Sequence, residues 1–174
     1  VTLDSDGSQI LDQAFYVEKK ENGWCLKIFI VNVAAVVGLG SKNDLIALSR
    51  GFSKNNVDMF DRSVAVKSFS LLPGVLRRTI EISFNLDLNL NIIEFKIAKT
   101  LFKSSNQFDF SQVQNIIGDK SHSNHLWWLN CYELANSLRV IRFSGGIVSP
   151  LTDGTICSEQ ICKKVGKESP TDYG

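Results

Sequence analysis

Several things are missing from this 174-residue chain, and each absence narrows its function. No charge of one sign dominates. Lys plus Arg is 19, Asp plus Glu is 18, and the formal net charge is +1. A bulk polyelectrolyte tail is therefore excluded, although 19 cations can still gather in a local basic groove. No apolar run approaches the roughly 20 residues needed to cross a bilayer. The longest, Ile28 to Leu39, carries Asn32 and ends near Gly38, as a buried strand and its exit would. Four cysteines make no dense disulfide framework. Cys25 lies in an apolar strand pattern and Cys131 on an apolar helix, so both read as buried thiols in a reducing, cytoplasmic compartment. A basic, apolar leader is missing at the start. The first residue is Val1 rather than Met, which points to an excised or incomplete segment. There are no internal repeats and no low-complexity stretch. The 44% hydrophobic and 21% charged content is that of an ordinary globular domain, and the length is that of one domain.

The periodicity predicts strands first and helices later. Gln13 to Glu18 forms a strand, and Lys19 to Gly23 a polar turn. From Trp24 the apolar residues alternate on both faces, so this second strand is central. Ser41 caps a short helix bearing Leu45 and Leu48, with Asp44 completing a loose capping box and Gly51 closing it. Ser53 to Ser70 reads as a long irregular loop. Thr79 to Leu86 and the strand around Ile93, Phe95 and Ile97 form an antiparallel hairpin across an Asp87 to Asn91 turn. Its wet face carries Glu81, Ser83, Glu94 and Lys96. Asp109 and Gln112 form a capping box for a helix striped by Phe110, Val113, Ile116 and Ile117. A longer helix runs from about Ser123 to Phe143, its stripe made of Trp127, Cys131, Leu134, Leu138 and Ile141, before Gly145 and Gly146. The expected fold class is mixed α/β with an α+β-like order, a mainly antiparallel sheet packed with helices. The expected division is a domain over residues 1–150 and a weakly ordered basic tail over 151–174.

Chemistry concentrates at the start. Asp4, Asp6 and Asp12 lie within nine residues. Carboxylates held close together repel unless a cation sits between them. Mg2+ takes such oxygens, usually from one or two carboxylates plus substrate phosphate. A solvated acidic loop has the same spacing. His122 and His125 could share a metal, but surface or capping roles fit them better. Cys157 and Cys162 have a zinc-like spacing with no second pair. Trp127 reads as core, while Trp128 is ambiguous between packing and partner contact. Phe52, Phe60 and Phe69 read as core anchors around the long loop. Lys54, Arg62 and Lys67 in that loop make a modest case for a nucleic-acid-facing surface.

Val1 to Phe15 reads VTLDSDGSQILDQAF. It resembles the opening of the ribonuclease II catalytic domain, roughly T-I-D-x-x-x-x-x-D-x-D-D-A. Thr2, Leu3, Asp4, Asp12 and Ala14 fall on that pattern. Further matches follow in order. Ile30 to Val33 is similar to the I-A-D-V strand, with Asn32 in place of Asp. Arg50 and Gly51 are similar to the R-G pair. Ser70, Leu71, Pro73 and Gly74 are similar to the S-L-x-P-G turn, with Arg78 the basic residue soon after it. Phe110 to Val113 is similar to T-Y-x-x-V, and Glu133 to Ile147 to the L-A-x-x-L-R-x-x-R-x-x-x-G-A segment. The resemblance implies the amino-terminal part of a 3′-to-5′ exoribonuclease domain. Such a domain hydrolyses single-stranded RNA to nucleoside monophosphates with Mg2+, needs no small-molecule cofactor and has no membrane partner. It implies Asp4 and Asp12 as catalytic metal ligands; Asp6, at a position that varies in relatives, is a candidate compensator. It implies RNA contacts at Arg50, Arg78, Arg139 and Arg142. The aspartate set is depleted, because Ile10 and Gln13 occupy its second and fourth positions. An inactive RNA-binding or regulatory relative, or a decayed fragment, is therefore the alternative. Oligomeric state is left open.

Overall fold

A computed structural model of the chain describes residues 1–51, 58–144, 149–150 and 156–157, the last two pairs by their backbone alone. It divides into two units, Val1–Trp128 and Leu129–Gly174. The first is built on a four-stranded antiparallel meander in the order β2-β3-β4-β5: β2 Gln13–Lys20, β3 Gly23–Val31, β4 Leu76–Leu86 and β5 Ile92–Lys103. A separate parallel pair joins β1 (Thr2–Asp4) to β6 (Gln107–Asp109), and sets Asp4 opposite Asp109.

Local chemistry explains the turns. Gly23 has a φ of +145°, and a methyl group there would run into the Leu86 carbonyl oxygen. Only glycine lets β3 start so close to β4. The β4–β5 turn is organised by Asp87, whose carboxylate accepts the Asn89 and Asn91 backbone N–H groups and the Asn91 side-chain amide. These bonds hold the Asp87 carboxyl below its ordinary value. Ser41 caps α1 (Lys42–Arg50) through the Asp44 N–H, as its position predicts. Asp109 and Gln112 form the full reciprocal capping box of α3 (Phe110–Gly118).

Three expectations are corrected. The segment read as a long loop contains a short helix, α2 (Arg62–Val64), that runs on as one π-helical turn, Ala65–Phe69. Phe69 is buried against Phe60, so these aromatics serve as anchors. Phe52 and Lys54 lie outside the described residues. The second correction concerns the hairpin. Strand register places Ile80, Ile82, Phe84, Phe95 and Ile97 on one face. Yet Phe95 and Ile97 are more than half exposed. The described core cluster of Leu11, Ala14, Phe29 and Leu71, joined by Phe102, lies toward the opposite face. Alternation shows that a strand has two unlike faces, not which one is covered. Third, Trp128 is the buried member of the adjacent tryptophan pair, with edge-to-face contacts to Phe15, Phe108 and Trp127. Trp127 is half-buried, stacks on Phe15 and donates its indole N–H to the Val17 carbonyl at 2.8 Å.

Both tryptophans sit at the start of α4 (His125–Ser144). In the second unit, Cys131 and Leu134 are buried, and the strands Ser149–Pro150 and Ile156–Cys157 pair antiparallel. Burial pushes the Cys131 thiol up to about 12, and Cys25 is likewise a buried free thiol. The glycine stop after α4, Cys162 and almost all of the tail over 151–174 lie outside the described residues.

Candidate metal and RNA site

The acidic opening is held by hydrogen bonds from a distant part of the chain. Residues 5–7 form a turn, with the Ser8 N–H donating to the Ser5 carbonyl. Beyond it, Ser70 grips the segment before Asp12. Its hydroxyl accepts the Leu11 N–H at 3.1 Å and donates to the Gln9 carbonyl at 2.8 Å. The Leu71 N–H adds a bond to the Leu11 carbonyl at 2.8 Å. Leu11, Ser70 and Leu71 have no exposed surface. Arg77 braces this clamp from behind: Nε donates to the Ser70 carbonyl and Nη2 to the Lys67 carbonyl. Finally, the Asp12 carbonyl accepts the Val31 N–H, which ties Asp12 to the end of β3. The serine and leucine of the S-L-x-P-G turn therefore position the aspartate segment. The Ser70 bonds to it span sequence separations of 59 and 61 residues.

Asp4 and Asp12 come close enough to feel each other's charge. The Asp4 carboxyl is raised above its ordinary value, first by burial and then by the negative field of Asp12. Its Oδ2 is buried with no hydrogen-bond partner. An orphaned carboxylate oxygen beside a second carboxylate is a site that a cation would relieve. Two carboxylates suit one hard divalent ion, which completes its shell with water and phosphate oxygens. They do not suit a pair of such ions. Ile10 has no donor, and Gln13 is an exposed residue at the start of β2. Asp6 is exposed in the turn. Among the described residues, no group of three or more His, Cys, Asp or Glu side chains converges as a metal site. His122 and His125 take capping roles: His122 Nδ1 accepts the Asn124 N–H, and His125 Nδ1 bonds the Ile116 carbonyl.

The four arginines named from sequence have different surroundings. Arg50 pairs with Asp61 at 3.0 Å and donates to the Asp58 carbonyl, so its guanidinium ties α1 to the next segment. Arg78 is exposed and lines an open cleft of about 670 Å³ between the turn at Val33–Ala35 and the β4–β5 end. Arg139 lies over the Phe143 ring at 5.2 Å, and Arg142 is exposed near the end of α4. Sequence reading passed over Arg77. Strand parity was the available signal, since it puts Arg77 on the same face as Thr79 and Phe102, toward the clamp.

The RNB domain model matches residues 1–167. The chain belongs to the RNB-domain family. This RNB chain is 29% identical over 145 residues to exoribonuclease 2 of Psychromonas ingrahamii, covering 80% of this chain and 22% of that protein. It is 27% identical over 161 residues to ribonuclease R of Thermotoga maritima, covering 85% and 22%. The RNB fold extends to solved structures. Mycoplasma genitalium RNase R in complex with double-stranded RNA superposes with a TM-score of 0.74 at 22% identity, covering 90% of this chain and 31% of that one. Yeast Ssd1, described as a pseudonuclease, superposes with a TM-score of 0.67 at 21% identity, covering 82% and 18%. The RNB chain thus spans between about a fifth and a third of the length of these relatives. No helix among its described residues is long and apolar enough to cross a membrane.

Proposed function

We propose that this chain carries the carboxylate part of an RNB exoribonuclease centre, which acts on single-stranded RNA from its 3′ end and releases nucleoside monophosphates. The observation that carries the reading is the buried, unpartnered Oδ2 of Asp4 beside Asp12, on a segment clamped by Ser70 and Leu71. Mg2+ is the proposed ion, held by Asp4 and Asp12, with Asp6 the nearest further carboxylate in sequence. When bound, it would neutralise charge developing on phosphate and leaving oxygens. The chain's own residues bring Asp4 into the field of Asp12, and the Ser70 clamp fixes the backbone just before Asp12. Arg78, Arg139 and Arg142 are proposed RNA contacts. Arg50 is the least suited to contact RNA, because Asp61 already engages it. The free buried thiols fit a cytoplasmic location. We also keep residues 1–150 as the catalytic-type part and 151–174 as a basic tail.

A second reading is favoured by one specific feature. Ile10 and Gln13 remove two charges from the aspartate set, which fits an RNA-binding relative that no longer cuts. The test is a 5′-labelled single-stranded RNA incubated with the chain, with Mg2+ or with EDTA. Mg2+-dependent shortening from the 3′ end, lost in Asp12→Asn, supports the enzyme. Retention of RNA without shortening supports the binding module. In the second case, Ile10→Asp with Gln13→Asp is expected to tighten Mg2+ binding in calorimetry. An unchanged isotherm in a folded double variant counts against the depleted-site reading.

A further inference from the structure

Charge is unevenly divided between the two faces of the meander. Register puts Lys19, Arg78, Lys99 and Lys103 on one face, together with Phe15, Ile28, Ile80 and Ile82, and not one carboxylate. The strand carboxylates Glu18, Glu81 and Glu94 are on the other face. There Glu81 pairs with Lys27 at 3.1 Å and Glu94 accepts from Asn85 at 2.7 Å. Three of the cations on the acid-free face cluster at one end. Leu101 is the partner of Arg78, and Lys99 and Lys103 flank Leu101 two residues to either side. A two-residue step along a strand is about 6.8 Å and a step between strands about 4.8 Å, so each lysine stem starts roughly 8 Å from that of Arg78. All three side chains are exposed, and none forms an ion pair with a described residue.

Like charges about one Debye length apart still repel, at roughly a third of the unscreened strength, and no acid on the strands of this face offsets them. Such a row is stabilised by an anion with several charges along its length. The adjoining cleft has the side chains for a backbone rather than a point anion: Arg78 and Lys99 at its rim, Asn32 as a neutral donor, and Ala34, Ala35 and Ile80 as apolar wall. It also shares a sheet end with the aspartates. The Asp12 carbonyl bonds the Val31 N–H, and the next residue, Asn32, donates its N–H to the Arg78 carbonyl. The Asp12 and Arg78 backbones therefore lie about two strand spacings apart, roughly 10 Å.

We infer that Arg78, Lys99 and Lys103, with the Asn32 cleft, form a docking surface for the sugar-phosphate backbone of single-stranded RNA. Lys99 and Lys103 are new members of the site. This inference rests on the RNA-binding part of the proposed function. Each neutralised phosphate contributes about 0.7 to the dependence of log affinity on log salt for a single strand.

The experiment is fluorescence anisotropy of a labelled uridine-rich single strand, titrated with the full chain at several salt concentrations and without divalent ions. The variant Arg78→Gln/Lys99→Gln/Lys103→Gln is compared with Lys20→Gln/Lys96→Gln/Lys120→Gln. The comparison variant removes the same charge from exposed positions off this face. Circular dichroism checks both folds. The first variant is expected to lose on the order of tenfold in affinity at low salt and to flatten the salt slope by about 2. The second is expected to keep a slope near that of the unmodified chain. Equal losses in the two variants would overturn the surface while leaving RNA binding intact. So would competition by polyglutamate as effective as that by unlabelled RNA. No binding by the unmodified chain would remove the RNA-binding reading itself, and this inference with it.

Discussion

At the residue scale, Asp4 has the most to reveal. Its carboxyl is raised in the fold by burial and by Asp12, so folding favours its protonated form. The sign follows directly. Its contribution to stability falls as pH rises from the ordinary 3.8 through the raised folded value, and at neutral pH the ionised group opposes folding. Asp4→Asn is therefore expected to gain stability relative to the unmodified chain at pH 7, and to lose that gain below pH 3.8. Mg2+ should raise the urea midpoint of the unmodified chain at pH 7 and leave that of Asp4→Asn in place. A midpoint difference that is the same at pH 7 and pH 3 would mean that Asp4 carries no buried-charge penalty. Asp4 and Asp12 are legible as candidates in the opening residues alone. Their mutual approach and the orphaned oxygen are not, because both depend on β1 and the segment before β2 being brought side by side. The tryptophans show the same limit: adjacent positions on a helix differ by about 100°, and only the packing of the Trp127–Trp128 turn against Phe15 decides which ring is buried.

At the element scale, caps and turns were the most legible features, because their chemistry is local. Ser41, Asp109 and Gln112 do what their spacing predicts. Asp109→Ala is expected to cost about 1 kcal/mol, within the range of about 0.5–2 for a lost N-cap. Urea unfolding measures it, and a midpoint unchanged from the unmodified chain would mean that the capping box adds nothing in this context. The same strand pair offers a control on reach. Asp109 ends β6 opposite Asp4, so comparing Asp109→Ala with Gln112→Ala separates the cap from the aspartate opening. The π-helical turn at Ala65–Phe69 was not legible. Its five residues, AVKSF, are too few to show a periodic pattern, and its helical form is held by Phe69 packing on Phe60 and by the Arg77 bond to the Lys67 carbonyl.

At the scale of the whole molecule, the clamp is the device that joins distant segments. Ser70→Ala would leave the Leu11 N–H and the Gln9 carbonyl without their buried partner, a loss of about 1–3 kcal/mol. It should also weaken Mg2+ binding at Asp4 and Asp12, since the aspartate segment is freed, whereas Ser70→Thr keeps the hydroxyl and should restore part of both. Weakened stability with unaltered Mg2+ affinity would confine Ser70 to a packing role. Periodicity and motif order alone determined the mixed α/β class, the hairpin, the capped helices and the RNB kinship, because these are written in neighbouring residues or in their order along the chain. Tertiary structure alone decided which part of each hairpin face is covered, that Arg77 rather than Arg78 braces the clamp, and that Lys99 and Lys103 stand beside Arg78. Each of these depends on strand register and on contacts across tens of residues, and local sequence pattern has no access to either.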